Sequence, residues 1–440
     1  TLRRLKTGTP PRLRRGSIAF ERLAVQPGDD PPQPFSFRTG DFAPDQIDCW
    51  LAYTNPRTHA VIAGALDRSP LYGGVIEGRG PRYCPSIEDK IVRFADKERH
   101  LLFLEPEGLA TDEIYVNGLS TSLPAKVQEM VVRSVPGLEK AELVRYGYAV
   151  EYDSVPSWNI FRSLETKPVA GLYLAGQILG TSGFEEAAAQ GLVAGCNAVR
   201  SLDGRPPVDV GRDVGYVGVL VDDLVTKDIN EPYRMFTSRA EHRLHLRCDN
   251  AEDRMLDTAR DLGLLSAEAM GMLEGRRDFV NGLKKLLNKT RINMNDKGLR
   301  GKCSDWLRFP SSGLRFMAEK VPAEDDFHQE FENILSKFTQ TNPPSHVVEG
   351  ALDQVENDIK YEGYITKHNR LLKSRAHLDN MEMPVELDYK SLTALSFEAR
   401  EKLDRIRPGT LGEAGRIDGV RAGDLAVLTV ILKKIREARP

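Results

Sequence analysis

Residues Tyr173–Gly191 read YLAGQILGTSGFEEAAAQG, and their pattern decides the fold class. Together with the residues just before it, Gly171–Gly176 (GLYLAG) is a short apolar run that predicts a buried strand. A Gly/Thr/Ser turn follows, and Glu185–Arg200 (EEAAAQGLVAGCNAVR) predicts a helix of small residues. Strand, glycine turn and helix are the parts of a nucleotide-binding βα unit. Gly176, Gly180 and Gly183 let the backbone approach a ligand closely, and Ala187–Ala189 let the helix pack tightly behind it. A tightly packed core helix with no ligand would share this composition.

The helix N-terminus points at something electron-rich. Glu185 and Glu186 in its first turn suit the helix dipole but repel phosphate, which favours the ring or ribityl part of a flavin over its pyrophosphate. The fold expected is α/β: the C-terminal part of an FAD/NAD(P)-binding dinucleotide-binding fold, with a small inserted α/β subdomain and a C-terminal all-helical region. No GxGxxG follows a strand anywhere in the 440 residues, so the usual first phosphate-binding turn is missing and the chain as it stands is expected to hold FAD poorly.

A second chemical signal is GPRYCPSIEDKIVRF, Gly80–Phe94. Ser86 followed by Asp89 is a capping box, and Ile87, Ile91 and Phe94 recur at helical spacing, which predicts a helix over 86–94. Cys84 lies two residues before the cap, where the helix terminus lowers a thiol pKa; Arg82, Lys90 and Arg93 add positive charge. A thiolate there is a candidate nucleophile. An inert role is the default for any one cysteine, and Cys196, inside the Ala/Gly-rich helix, reads as a small buried hydrophobe.

Working outward, the expected segments are a cofactor-domain piece at 1–20, an inserted subdomain at 21–74, the second part of the cofactor domain at 75–205, a helical region at 206–345 and a C-terminal helical domain at 346–440. Linkers are expected near Ser201–Val210 and Thr339–Ser345. The C-terminal region carries a capping box at Thr410/Glu413 and an apolar helix face from about Asp424. Hydrophobic residues at 40% and charged residues at 28% are ordinary for a folded chain. The longest apolar run, near Asp424–Leu432, is far too short for a bilayer, so no membrane association is expected.

Net charge is −3, so a nucleic-acid site must come from local clustering. Residues 1–15 hold Arg3, Arg4, Lys6, Arg12, Arg14 and Arg15 with no acid, and Glu274–Asp305 sets nine Lys/Arg against four acids. Such runs are equally well explained as solvated faces. The five cysteines form no CxxC and no His/Cys pair has ligand spacing, which suits free thiols and argues against a metal site. A first residue of Thr is expected of a chain that begins inside a longer protein or after processing.

LKTGTPPR, GPRYCPSIEDK, FLEPEG, NGLSTSLP, AGQILGTSGFEEAAAQG, EPYRMFTSRAEHRLHLR and KYEGYI, from Leu5 to Ile365, resemble the successive blocks of the GidA/MnmG family in that family's order, and Leu387–Lys434 is also similar. The resemblance implies an FAD enzyme that uses NADH or NADPH, takes a methylene from methylenetetrahydrofolate and joins it to carbon 5 of the tRNA wobble uridine. It implies a homodimer and a partner GTPase of the MnmE type. Gly80, Pro81, Arg82, Tyr83, Cys84, Pro85, Ser86, Ile87, Glu88, Asp89 and Lys90 fall on the segment the family assigns to the nicotinamide dinucleotide, and Cys84 on a cysteine proposed to be catalytic. Gly176, Gln177, Gly180, Thr181, Gly183, Glu185 and Glu186 form the flavin side, with Gln177 on the family's flavin-contacting glutamine. Leu179 stands where the family usually has Asn.

In this reading a thiolate adds at carbon 6 of uracil and makes carbon 5 nucleophilic. Glu88, Glu185 and Glu186 are candidate acids or bases by neighbourhood alone. Arg3, Arg4, Lys6, Arg12, Arg234, Arg239 and Arg243, with Arg247 beside them, are candidate tRNA contacts, since an anticodon base must leave its stack to react. The rival readings are an NAD(P)H-flavin oxidoreductase acting on a small molecule and a non-catalytic tRNA- or GTPase-binding fragment. The expected compartment is the mitochondrial matrix, towards which the stretch Arg308–Ser345 inclines the reading, with bacterial cytoplasm as the alternative.

Overall fold

The computed structural model describes residues 2–40, 42–74, 76, 78, 80, 85–293, 300–310, 312–314 and 326–437. The chain divides into two compact units, Thr1–Pro32 with Ala43–Pro207 and Lys227–Met235, and Gln33–Phe42 with Val208–Thr226 and Phe236–Pro440.

In the first unit, β1 (Arg3–Thr9) pairs antiparallel with β8 (Tyr148–Ser154), in register from Arg3 opposite Ser154 to Thr9 opposite Tyr148. Between these two strands the chain makes one long excursion. It holds β2 (Arg12–Arg14), β3 (Ala24–Gln26), β4 (Cys49–Tyr53), β5 (Leu101–Pro106), β6 (Glu113–Asn117) and β7 (Leu143–Arg145), which form a six-stranded antiparallel sheet in the order β3-β4-β5-β6-β2-β7. Alternation places Leu102 and Leu104 of β5, and Ile114 and Val116 of β6, on the buried face. Against that face lie α1 (Pro56–Ala63), α2 (Ile87–Arg93) and α3 (Ala125–Arg133), through Ile62, Ile87, Ile91, Val127 and Val131. Asn55 caps α1 by accepting from Thr58 N at 3.0 Å, with Pro56 at the first helical position. The core of this lobe runs from Leu13 to Ala141; Leu23, Trp50, Ala52, Ile62 and Ala65 join it together with strands and helices on both sides of them, while Gln33–Phe42 belongs to the second unit.

The strand expected at Gly171–Gly176 is not a regular strand. It makes a single antiparallel bridge, Tyr173 to Glu165, and Leu172 is 44% exposed. Its partner segment turns at Leu164, whose φ of 65° is left-handed, and that breaks the ladder. The expected small-residue helix does form, as α4 (Phe184–Leu202).

Among its described residues the second unit is helical apart from loops and the short hairpin β9 (Arg291–Asn293) and β10 (Arg300–Lys302). It contains α5 (Tyr216–Thr226), α6 (Ala251–Leu262), α7 (Ala267–Lys289), α8 (Cys303–Leu307), α9 (Phe327–Thr339) and α10 (Ser345–Asp379). Its C-terminal helices are α11 (Phe397–Ile406), α12 (Leu411–Arg416) and α13 (Ala422–Glu437). Phe279, Val280 and Leu283 of α7 pack with Phe338 of α9 and Val347, Ala351 and Val355 of α10 in one core. The Thr410/Glu413 box is present: Thr410 Oγ1 accepts from Glu413 N at 3.1 Å, and Glu413 Oε2 accepts from Gly409 N at 2.7 Å. Among the described residues no helix is long and apolar enough to cross a membrane.

Candidate cofactor and active site

The glycine turn is built around Gln190, which is fully buried in α4. Its side-chain oxygen accepts from Gly176 N and its amide donates to Thr181 Oγ1 at 3.2 Å, while that hydroxyl donates to Gly176 O at 3.1 Å. Gly176 and Gly180 hold φ of 84° and 86°, which only glycine adopts without strain. This closes Gly176–Leu179 into a 3-10 turn with Gln177 exposed and Leu179 buried. Leu179 therefore belongs to the packing under the turn, whereas Gln177 is on its open side. The sequence reading missed Gln190; the available signal was a lone polar residue one helical turn after Glu186, on the face that carries Val193, Ala194 and Asn197.

Gly183 is the N-cap of α4 and supplies no side chain to cap it, so the first-turn N–H groups are left for another partner. A Cβ on Gly183 would meet Glu186 Oε2 at 1.7 Å, so any larger residue there would have to displace that carboxylate. Glu186 is buried and accepts at Oε1 from Met235 N at 2.8 Å and Arg234 Nε at 3.2 Å. Glu185 is exposed and lies 3.9 Å from Arg234. The backbone of Tyr233 joins the same turn, donating to Gly180 O at 2.8 Å and accepting from Ser182 N at 3.3 Å. A Cβ placed on Gly176 would touch only Ala187, at 3.8 Å. An open backbone edge, an uncapped helix start and an exposed amide side chain fit the edge of a flat ring with carbonyl acceptors.

A cavity of about 550 Å³ opens between β1 and α2, lined by Lys6, Tyr72, Gly80, Asp89, Arg93 and Glu231 among others. Ser86 caps α2, accepting from Asp89 N at 3.2 Å. Tyr72 Oη donates to Asp89 Oδ1 at 2.9 Å. Burial first, then that hydrogen bond and the charge of Asp89, push the Tyr72 hydroxyl pKa well above the ordinary tyrosine value. Lys6 Nζ reaches Leu71 O at 3.4 Å.

The expected nicotinamide segment is therefore divided. Gly80, Ser86 and Asp89 line the cavity, and Pro85 is half-buried before it. Ile87 goes into the lobe core, and Lys90 Nζ donates to Gly118 O at 2.9 Å. Glu88 is fully buried; its Oε1 accepts from Thr121 Oγ1 and Ser122 N, each at 3.0 Å, and from Ser69 Oγ at 3.3 Å. Pro81, Arg82, Tyr83 and Cys84 lie outside the described residues.

Most of the arginines of the expected tRNA surface are paired. Arg3 holds Asp228 and stacks over the Trp158 ring, Arg4 holds Glu151 and Asp153, and Arg12 holds Glu107. Arg239 reaches Asp223, and Arg247 lies between Asp249 and Asp358. Arg243 is exposed. Among the described residues no group of three or more His, Cys, Asp or Glu side chains is placed to hold a metal ion.

Residues 1–206 match the family model of glucose inhibited division protein A, and residues 372–440 match that of the tRNA modifying enzyme MnmG/GidA C-terminal helical bundle. The chain is 44% identical to the tRNA uridine 5-carboxymethylaminomethyl modification enzyme MnmG of Listeria welshimeri, covering 100% of this chain and 68% of the relative. It is also 44% identical to the MnmG of Bacillus subtilis, covering 99% and 68%. Two structures of Aquifex aeolicus GidA superpose on it: form II with TM-score 0.84 at 41% identity over 98% of this chain and 67% of that one, and form I with 0.83 at 44% over 98% and 69%. Matched from its first strands to its last helices by sequence and by fold, the chain belongs to the GidA/MnmG family.

Proposed function

We infer that the protein is an FAD-dependent tRNA-modifying enzyme that adds a carboxymethylaminomethyl-type group to carbon 5 of the wobble uridine. The observation that carries this reading is the Gly176–Gly183 turn at the uncapped start of α4, within a chain 44% identical along its length to enzymes of that name. FAD, when bound, supplies the redox chemistry. The chain's own part is positioning: Gln190 and Thr181 fix the turn, Gln177 and the first N–H groups of α4 face the ring, and Glu186 locks Arg234 beside it. The finer assignments, proposed from the family's pattern, are NADH or NADPH as reductant at the Gly80–Lys90 segment, methylenetetrahydrofolate as one-carbon donor and Cys84 as nucleophile.

The tRNA is proposed to lie along Arg3, Arg4, Lys6, Arg12, Arg234, Arg239 and Arg243, with the helical region 206–345. The ion-paired members of that set exchange an acid partner for a phosphate, so they contribute less than free cations would. An MnmE-type GTPase is proposed to dock on residues 346–440, and the working unit to be a homodimer. The relatives named above are bacterial, which supports bacterial cytoplasm over the mitochondrial matrix as the compartment.

The test is to express the chain with and without the further sequence that its relatives carry, then to measure flavin absorbance and salt-dependent tRNA binding on both. Flavin with salt-sensitive tRNA affinity supports the reading. Flavin without tRNA affinity favours a small-molecule oxidoreductase, and tRNA affinity without flavin in either form favours a binding module.

A further inference from the structure

Three carboxylates were open as proton acceptors from sequence, and none of them lines the cavity beside α2. Glu88 is fully buried, and its Oε1 accepts from hydroxyl and backbone donors of the Ser69 and Thr121–Ser122 segments. Glu186 is buried and committed to Arg234 and Met235. Glu185 is 84% exposed at the start of α4 and does not line the cavity. The carboxylates among the described cavity-lining residues are instead Asp89 and Glu231.

Asp89 has the setting that proton transfer needs. It stands in the first turn of α2, with Oδ1 held by the Tyr72 hydroxyl at 2.9 Å and Oδ2 3.4 Å from the Ser86 hydroxyl. Arg93 is 3.9 Å away, one helical turn on. Gly80 leaves room between Asp89 and Lys6: a Cβ on it would sit 3.9 Å from Asp89 Oδ2 and 3.8 Å from Lys6 Cε. The carboxylate and the amine thus approach the same glycine on the cavity wall. A cavity of this volume accepts a nucleobase with its sugar and phosphate.

We propose that Asp89 is the base that removes the carbon 5 proton of the substrate uridine, with Tyr72 as its hydrogen-bonding partner. The proposal rests on the uridine-modifying reading above. At that step the uracil carries the enzyme's thiolate at carbon 6 and the new one-carbon substituent at carbon 5. The carbon 5 proton passes to Asp89, and the C5–H electron pair forms the C5=C6 double bond. The C6–S bond breaks, and its pair returns to sulfur as thiolate. Tyr72 steadies the carboxylate in the geometry that faces the cavity, and Lys6 supplies positive charge on the same wall.

The experiment uses the FAD-loaded full-length enzyme and tRNA labelled with tritium at carbon 5 of the wobble uridine; tritium release to water reports C5–H cleavage itself. Asp89→Asn is expected to lower release about 100-fold or more, the range for loss of a general base. Flavin absorbance and the tRNA dissociation constant should stay at parental values. Asp89 also stands in the first turn of α2 and holds the Tyr72 hydroxyl, so Asp89→Glu separates chemistry from folding: retaining the carboxylate, it should keep release within about tenfold of the parent, while Tyr72→Phe falls between the two. Parental release by Asp89→Asn, equal loss in the Asn and Glu variants, or loss in Glu231→Gln with none in Asp89→Asn would each overturn the assignment. A parent enzyme that neither releases tritium nor forms modified uridine would instead overturn the proposed function.

Discussion

Arg416 holds both carboxylate oxygens of Asp222, Nε to Oδ2 and Nη2 to Oδ1, each at 2.7 Å, and thereby ties α12 to α5. Asp222 is fully buried and takes a further bond from Arg212 at 2.9 Å. Arg416 is thus a bracket inside the second unit. Breaking a buried pair from one side costs about 3–5 kcal/mol, because the remaining charge stays buried. Arg416→Met should therefore lower stability by about 3 kcal/mol in chemical denaturation, reduced because Arg212 still serves Asp222. Arg416→Lys, which keeps the charge and loses the fork, should fall between. An unchanged midpoint for Arg416→Met would show that the pair contributes nothing.

The same bracket sharpens the test of a C-terminal docking surface. Deleting residues 386–440 removes Arg416 and leaves Asp222 short of a partner, so that variant should lose stability as well as partner binding. It is nonetheless expected to keep flavin, whose proposed contacts lie in the first unit. Loss of GTPase binding and of tRNA modification with flavin retained supports docking; modification at the parental rate with GTPase still bound would end it.

Gln177→Ala in the full-length enzyme should weaken FAD retention. Gln177 is exposed on the open side of a turn whose closed side is fastened by Gln190 and Thr181, so truncating it removes a ligand contact without loosening the turn. Loss of one such contact costs about 1–3 kcal/mol, or roughly ten- to hundredfold in affinity. Equal flavin dissociation constants for variant and parent would place the ring elsewhere.

Cys84→Ser should abolish tRNA modification while leaving the full-length enzyme folded and yellow. A serine hydroxyl is too weak an acid to supply the nucleophile that a thiol at a helix start supplies. Unchanged modification rates would remove Cys84 from the mechanism.

Acid should loosen the C-terminal helices through Asp424. Burial pushes its pKa up, but the backbone N–H groups of Ser396, at 2.8 Å, and Arg421, at 3.0 Å, together with the Ser396 hydroxyl, outweigh burial and hold it below the ordinary aspartate value. With the folded pKa below the unfolded one, the unfolded chain binds more protons in between. The stabilisation is complete above the unfolded value, near pH 4, and is lost as pH falls through the folded one. Asp424→Asn should flatten the decline of stability below about pH 4 that the parent shows. An identical acid slope in the two proteins would exclude Asp424 as its source.

The parts of this fold written in neighbouring residues were legible. Ser86 with Asp89 and Thr410 with Glu413 fixed two helix starts, because a capping box is a local contact. What could not be read was pairing across distance. β2 inserts between β6 and β7, and nothing in RLR announces it. The basic run Arg3–Arg15 looked free of acids because its acids arrive from far along the chain: β8 brings Glu151 and Asp153 to Arg4, and Glu142 beside β7 meets Arg14. Gln190 was overlooked for the same reason, since its partners are a backbone N–H and a hydroxyl at the other end of the turn.

The β1–β8 ladder has a consequence for how such a chain was assembled. Thr9 and Tyr148 are directly opposite one another, so the chain leaves this two-stranded ladder and returns to it at the same place, about 5 Å apart. Apart from Gln33–Phe42, which belongs to the second unit, the chain between them builds a core of its own from Leu13 to Ala141. Such a lobe is a graft: it can be lengthened, traded or excised for a tight turn while the parent framework keeps its register. Lys6, Thr7 and Gly8 on the ladder, and Ser86 and Asp89 on the lobe, line the same cavity, so its wall is complete only with both.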